Sequence, residues 1–169
     1  MDGNITLKYG TAANYTISLA SLATDTNLLV GRQSTVVDNT SVLADDYLVS
    51  GKIKCGTTPT VAKQIEVWAF GDIDIASTYQ DAFTGTDAGR TISFANLKPV
   101  EMRNVATWVL DSGATTGSYM YFNNVSLKSL FGSIPGHHGL FVVHNTAVNL
   151  DSTAGNHVLS YVPVFSQYT

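Results

Sequence analysis

Tyr47-Leu-Val-Ser-Gly-Lys-Ile-Lys-Cys55 is followed, across Gly56-Thr-Thr-Pro59-Thr60, by Lys63-Gln-Ile-Glu-Val-Trp-Ala-Phe70. In the first run Val49, Gly51, Ile53 and Cys55 fall on one side and Leu48, Ser50, Lys52 and Lys54 on the other. In the second, Ile65, Val67 and Ala69 oppose Gln64, Glu66, Trp68 and Phe70. A period of two is the mark of a β-strand with one face against a core. The intervening Gly and Pro supply turn geometry, because Gly tolerates positive φ and Pro fixes it near -65°. Strand, short turn-rich loop, strand describes either a hairpin or a connection between two sheets.

The same pattern recurs outward in both directions. Strands are expected at 4–9, 14–20, 33–37, 90–94, 102–110, 117–122, 139–145 and 157–166. Val162-Pro163-Val164 interrupts the last of these, and a proline donates no ladder hydrogen bond, so this strand is expected at a sheet edge or bent there. Ser126-Leu-Lys-Ser-Leu-Phe131-Gly132 is different: Leu127, Leu130 and Phe131 follow helical spacing and Gly132 is placed to end the turn. The expected fold is therefore all-β, an antiparallel β-sandwich of jelly-roll type, with one short helix near 126–131. Short strands with regular turn signals fit a sandwich, and no βαβ alternation points to a parallel sheet. The whole of 1–169 reads as a single domain, without a linker or a repeat.

At 169 residues, a globular chain buries roughly 70% of its unfolded surface and can build a core without disulfides or metal. Charged residues are 13% of the chain, against about 25% in an ordinary soluble domain. Their place is taken by 20 Thr, 15 Ser and 11 Asn. The net charge of -4 argues against a phosphate-binding surface, so no nucleic-acid partner is expected. The apolar runs are too short to span a bilayer, and Met1-Asp-Gly-Asn-Ile-Thr6 has no basic stretch leading into an apolar one, so neither a membrane role nor a secretory signal is expected. The lone Cys55 excludes an intrachain disulfide and reads as a small buried hydrophobe. After Asp111 only Lys128 and Asp151 carry formal charge. A surface so poor in charge suggests that part of this third is covered by another subunit.

Candidate chemistry is sparse. His137 and His138 are adjacent, so on a strand they point to opposite faces, and His144 and His157 complete no metal-ligand spacing. Asp72 and Asp74, with Asp81 and Asp87 beyond, lack the ligand string of a calcium loop. Ser, His and Asp are all present, but no nucleophile elbow is, and no phosphate-binding glycine motif occurs. No catalytic centre and no cofactor or metal is expected. The stretch 71–90 is the longest excursion from the strands and holds four of the thirteen acidic residues. Loops of that length are usually functional or interfacial, so Asp72, Asp74 and Asp81 are candidate interface residues; His137, His138 and His144, without metal-ligand spacing, join them as loop or interface histidines. Trp68, Trp108, Tyr47, Tyr119 and Tyr121 read mainly as core aromatics, with a sugar-stacking platform as the alternative.

Several segments, in this order, resemble a group of small proteins encoded among the virion structural genes of tailed bacteriophages. They are Leu7-Lys-Tyr-Gly-Thr11, Gly31-Arg-Gln-Ser34 with Val37-Asp-Asn-Thr40, Val49 through Thr60, Tyr79-Gln-Asp81, Leu130-Phe-Gly-Ser-Ile-Pro135 and Val143-His-Asn-Thr146. The resemblance spans nearly the whole chain and implies a virion component made in the bacterial host cytoplasm. Its jelly-roll-like length implies a capsid cement or decoration protein, acting as a homotrimer on the major capsid protein at the capsid surface. It carries over no catalytic residue. A position in the tail or head–tail junction, and a carbohydrate-binding receptor-recognition module, stay open as alternatives.

Overall fold

The computed structural model describes residues 3–80, 82–113 and 116–169. Its strands are β1 (Ile5–Tyr9), β2 (Ala13–Asn14), β3 (Val30–Gln33), β4 (Val37–Asp38), β5 (Asp46–Lys54), β6 (Gln64–Gly71), β7 (Ala88–Thr91), β8 (Met102–Val109), β9 (Tyr119–Ser126), β10 (His137–His144) and β11 (Val158–Tyr168). Two single-turn helices, α1 (Lys98–Glu101) and α2 (Leu127–Phe131), join them. One sheet, sheet A, has the order β1-β11-β5-β9, with β2 also on β11; the other, sheet B, has the order β7-β3-β10-β6-β8, with β4 also on β10. Every pairing is antiparallel. Leaving aside β2, β4 and β7 and numbering the remaining strands in chain order, the sheets read 1-8-3-6 and 2-7-4-5. That is the double Greek key of a jelly roll, the sandwich type expected from the sequence.

The alternation read in the sequence sets the layers. Tyr47, Val49 and Ile53 of β5, with Cys55 just beyond it, face Ile65, Val67 and Ala69 of β6 in the main core, joined by Met120, Phe122, Leu140, Val142 and Leu159. The even residues of β6 turn outward. They meet a second core, where Phe70, Phe141, Val143 and Met102 are roofed by Phe83 and Ile92 from the connecting loops. Phe83 stacks on Phe70 with ring centroids 4.2 Å apart. β10 is thus buried on both faces, which accounts for much of the missing charge in the C-terminal third. Gly31 allows β3 to approach β10, since a Cβ there would lie 2.2 Å from the Val142 carbonyl oxygen.

The expected helix forms as its sequence dictates. Ser126 Oγ accepts from the Ser129 amide, the Asp46 carboxylate accepts from the Lys128 amide, and Gly132 ends the turn at φ +85°. Leu127 buries its side chain in the main core. Elsewhere expectation and structure differ. β11 is not an edge strand: it lies between β5 on one side and β1 and β2 on the other. Pro163 is tolerated there because its missing N–H falls opposite the gap between β1 and β2, where its carbonyl oxygen accepts from the Gly10 amide. The run 14–20 contributes only β2; beyond it, Tyr15 and Leu19 are buried in the main core without a ladder. Residues 33–37 split between β3 and β4.

Candidate binding surfaces

The two sheets treat their outward faces differently. That of sheet B lies under the loops just described. That of sheet A stays open over most of its length, with half-exposed side chains on its central strands. In an antiparallel ladder, residues opposite one another project to the same face. Lys52 pairs with Val158 on one side and Tyr121 on the other, Leu48 pairs with Val162 and Ser126, and Ser50 pairs with Ser160. These positions form the outward rows of β11, β5 and β9. Tyr119 and Tyr121 lie along the β9 row with centroids 5.6 Å apart, and Tyr121 is 66% exposed. Charge on β5's outward row is limited to Asp46, Lys52 and Lys54. Asp46 is occupied in holding α2. Lys54 Nζ sits 3.2 Å from Asp151 Oδ2, and Lys52 Nζ lies 5.8 Å from the Tyr119 ring centroid.

The face continues onto a two-stranded ribbon. Beyond Val164, β11 has no β5 partner and pairs only with β1, Ile5 opposite Tyr168, Leu7 opposite Ser166 and Tyr9 opposite Val164. Asp45 pins the base of the ribbon by accepting from the Ser166 amide. Hydrogen bonding from the Ser166 hydroxyl and then from its amide holds the Asp45 carboxyl below its ordinary pKa. Ile5, Leu7, Tyr9 and Tyr168 are exposed by 74, 64, 61 and 70%. Under the ribbon's opposite side an open cleft of about 600 Å³ is lined by Lys8, Tyr9, Thr11, Phe165 and Gln167.

The histidines and aspartates named from the sequence separate into several environments. His137, facing outward from β10, is flanked by carboxylates: Nδ1 is 2.8 Å from Asp72 Oδ2 and Nε2 is 3.6 Å from Asp38 Oδ1. Asp72 is almost fully enclosed here, with its side chain 2% exposed. Asp74 remains on the surface and accepts from the Ala76 and Thr78 amides of its own loop, which hold its carboxyl low. His138 and His144 are both 0% exposed, so neither belongs to a surface and the expectation of interface histidines narrows to His137. His138 is packed among Tyr15, Tyr47 and Tyr161. Burial and the neighbouring His137 push its pKa down to about 3. His144 lies between the Leu22 carbonyl and Thr146 Oγ1, each 3.0 Å away. Asp81 lies outside the described residues. Asp87, at the far end of the excursion, is bound by Arg32 Nε at 2.6 Å and by Ser18.

Ser77 completes the residue types of a hydrolase triad beside His137 and Asp72, but its hydroxyl is 3.3 Å from both ring nitrogens. A point equidistant from the two nitrogens is in line with neither lone pair. In the ring plane at that distance it would overlap Cε1, so the hydroxyl sits over the imidazole face. A nucleophile must instead lie in line with its base within hydrogen-bond reach. Among the described residues no cluster of three or more His, Cys, Asp or Glu is placed to hold a metal ion.

The tryptophans form no open platform. Trp68 Nε1 donates to Glu66 Oε2 at 2.7 Å and its ring belongs to the second core, while Trp108 packs on the main core. The exposed aromatics of sheet A are instead Tyr121 on β9 and, at the opposite corner on the ribbon, Tyr9 and Tyr168. Sequence reasoning read Ile5, Leu7 and Tyr9 only as a strand. The available signal was a period-two apolar row with no long-range partner for its apolar side. Comparison with known proteins finds no family model that matches the chain and no curated protein whose sequence matches it.

Proposed function

We propose that the protein is a structural component of a tailed-bacteriophage virion, a cement or decoration protein that seats on the assembled capsid and stabilises it. The observation that carries the reading is the largely open, charge-poor outward face of sheet A, set against a sheet B that the chain covers itself. The resemblance described above supplies the partner, the major capsid protein. A flat hydroxyl- and tyrosine-rich face suits a partly polar contact with a protein lattice, and several copies seated together would be retained although each contact is modest. On this reading the protein performs no reaction.

A ligand that binds only the assembled state stabilises it by RT ln(1 + [L]/Kd), about 2.7 kcal/mol at a hundredfold excess over Kd. Shells assembled without the protein should therefore gain thermal stability when it is added, and Tyr121→Asp combined with Leu48→Asp should abolish the gain while the variant stays folded. No binding to shells, or particle density that places the chain only in the tail, would overturn the capsid reading. Exposed Tyr121, with half-buried Tyr119 beside it, makes receptor recognition the second reading, favoured if glycan binding is found and is lost on Tyr121→Ala.

A further inference from the structure

We infer that β1 is a self-pairing edge: two copies of this chain join antiparallel through Ile5–Tyr9 about a two-fold axis at Leu7, fusing their sheets A into one continuous sheet. The inference rests on the ribbon alone and does not depend on whether the protein sits on a shell.

The hydrogen-bond parity of the ribbon fixes which groups are free. Asn4 and Thr169 exchange both backbone bonds, and the Gly10 amide donates to the Pro163 carbonyl. Pairs that exchange bonds alternate along an antiparallel ladder with pairs that do not. The even residues of β1 therefore bond to β11, and Ile5, Leu7 and Tyr9 point their N–H and C=O groups away from it, toward the open edge. Those same residues carry the exposed apolar side chains. An antiparallel copy centred on Leu7 places Leu7 opposite its equivalent and Ile5 opposite Tyr9 of the second copy, each pair exchanging two bonds. Lys8 falls opposite Thr6 of the second copy, so no like charges meet across the ladder. Aromatic and branched pairs opposite one another stabilise such a ladder by roughly 0.2–1 kcal/mol each.

The other sheet edges are blunted. β7 is four residues long and contains Gly89. The register shift opposite Val67 and Trp68 puts an extra residue, Val105, into β8. β9 likewise bulges opposite Ser50, where Asn124 adopts φ +52°. Natural proteins protect edges with such bulges, prolines and covers. Among the described residues β1 has no bulge, proline or cover; its one charge, Lys8, lies on the face opposite Ile5, Leu7 and Tyr9, and it keeps an unbroken register with β11 over its whole length. A closed two-fold pairing uses up this edge, because the same patch serves on both sides. It specifies two copies, where the resemblance implied three.

The test is sedimentation of the full chain from about 1 to about 100 µM, the range in which an interface below the standard size dissociates. The wild type should pass from monomer to dimer. Leu7→Lys, at an exposed position, should stay monomeric throughout with an unchanged melting temperature. A register test stands beside it. At the axis, bonded partners lie about 5.5 Å apart between Cα atoms, within disulfide reach. Leu7→Cys should therefore yield a disulfide-linked dimer on mild oxidation. Ile5→Cys should not, its equivalent lying about 14 Å along the strands. The native Cys55 is buried and gives no background. A wild type that remains monomeric or forms trimers, a Leu7→Lys variant that still dimerises, or equal cross-linking at both cysteine positions would each overturn the proposal.

Discussion

Two sheets of similar size, built by the same alternation, present opposite outward faces. Over sheet B the chain lays its longest excursion, 72–87, together with the segments around Leu28, Val36 and Ile92, and seals Phe70, Phe141 and Val143 beneath them. A buried ion pair helps fasten this cover: Lys98 Nζ is 2.5 Å from Glu66 Oε2 and donates to the Leu28 carbonyl at 2.9 Å. Over sheet A, among the described residues, only the segment around Asp151 and Asn156 reaches the outward face, at Lys54 and Tyr119. Exposed apolar residues also occur on the sheet B side, at Ile73, Ile75, Phe94 and Val100 on loops and helical turns and singly at the strand ends Val30 and Val109. Single exposed apolar residues are ordinary. Those of sheet A stand in register on paired strands and continue onto the ribbon. The long loops finish the protein's own fold on one side, and on the other the paired strands stay largely open; the proposed function assigns that side to a second molecule.

The comparison is broken most severely at the strand both cores share. Val142 is fully buried in β10. Val142→Asp places an unpaired charge there and should prevent folding, seen as loss of soluble, sheet-rich protein by circular dichroism. Detaching the cover is the next largest effect. Lys98→Ala leaves Glu66 buried without its cation and should cost about 3–5 kcal/mol in denaturant unfolding. The paired Glu66→Gln, Lys98→Met variant should recover much of that loss.

Acid attacks the sandwich from inside. His138 has a folded pKa of about 3, while in the unfolded chain it titrates near 6.5. Below about 6.5 the unfolded state gains a proton that the folded state refuses, so stability is complete above that pH and falls as pH drops toward 3. The slope from this one group is at most about 1.4 kcal/mol per pH unit. His144 and His157 are lowered mainly by burial and act in the same direction. Melting temperature should therefore be flat above pH 7 and decline through pH 6 to 4, and His138→Leu should lessen the decline. The smallest effects belong to the surfaces. Leu48→Ala on the open face and Asp74→Lys on the excursion should change monomer stability by no more than about 0.5 kcal/mol. Only the first should weaken attachment.

The sequence carried the layers well because period-two patterning is a local property. The faces of 47–55 and 63–70 read correctly residue by residue, and Ser126 and Gly132 marked the ends of α2. Properties set by distant neighbours were not legible. Pro163 argued for an edge, but the decisive fact was the break in the facing strand at residues 10–12, more than 150 residues away in sequence. Tyr15 and Leu19 alternate like a strand, yet they leave the ladder to fill the main core. His138 and His144 carried no local sign of burial, since His is found inside and outside alike. The acidic residues of 71–90 suggested an interface. Most of those described are spent within the chain, Asp72 on His137 and Asp87 on Arg32. The proposed contact face lies on the opposite sheet, whose rows carry no local sign beyond ordinary strand alternation.

Hydroxyl-radical footprinting of the protein, free and bound to assembled shells, tests the central claim most directly. The account predicts strong protection of Tyr119, Tyr121 and Val162 on sheet A, with Ile73, Ile75 and Phe94 over sheet B labelled equally in both states. Protection of Ile73, Ile75 and Phe94 with Tyr121 unchanged would contradict it.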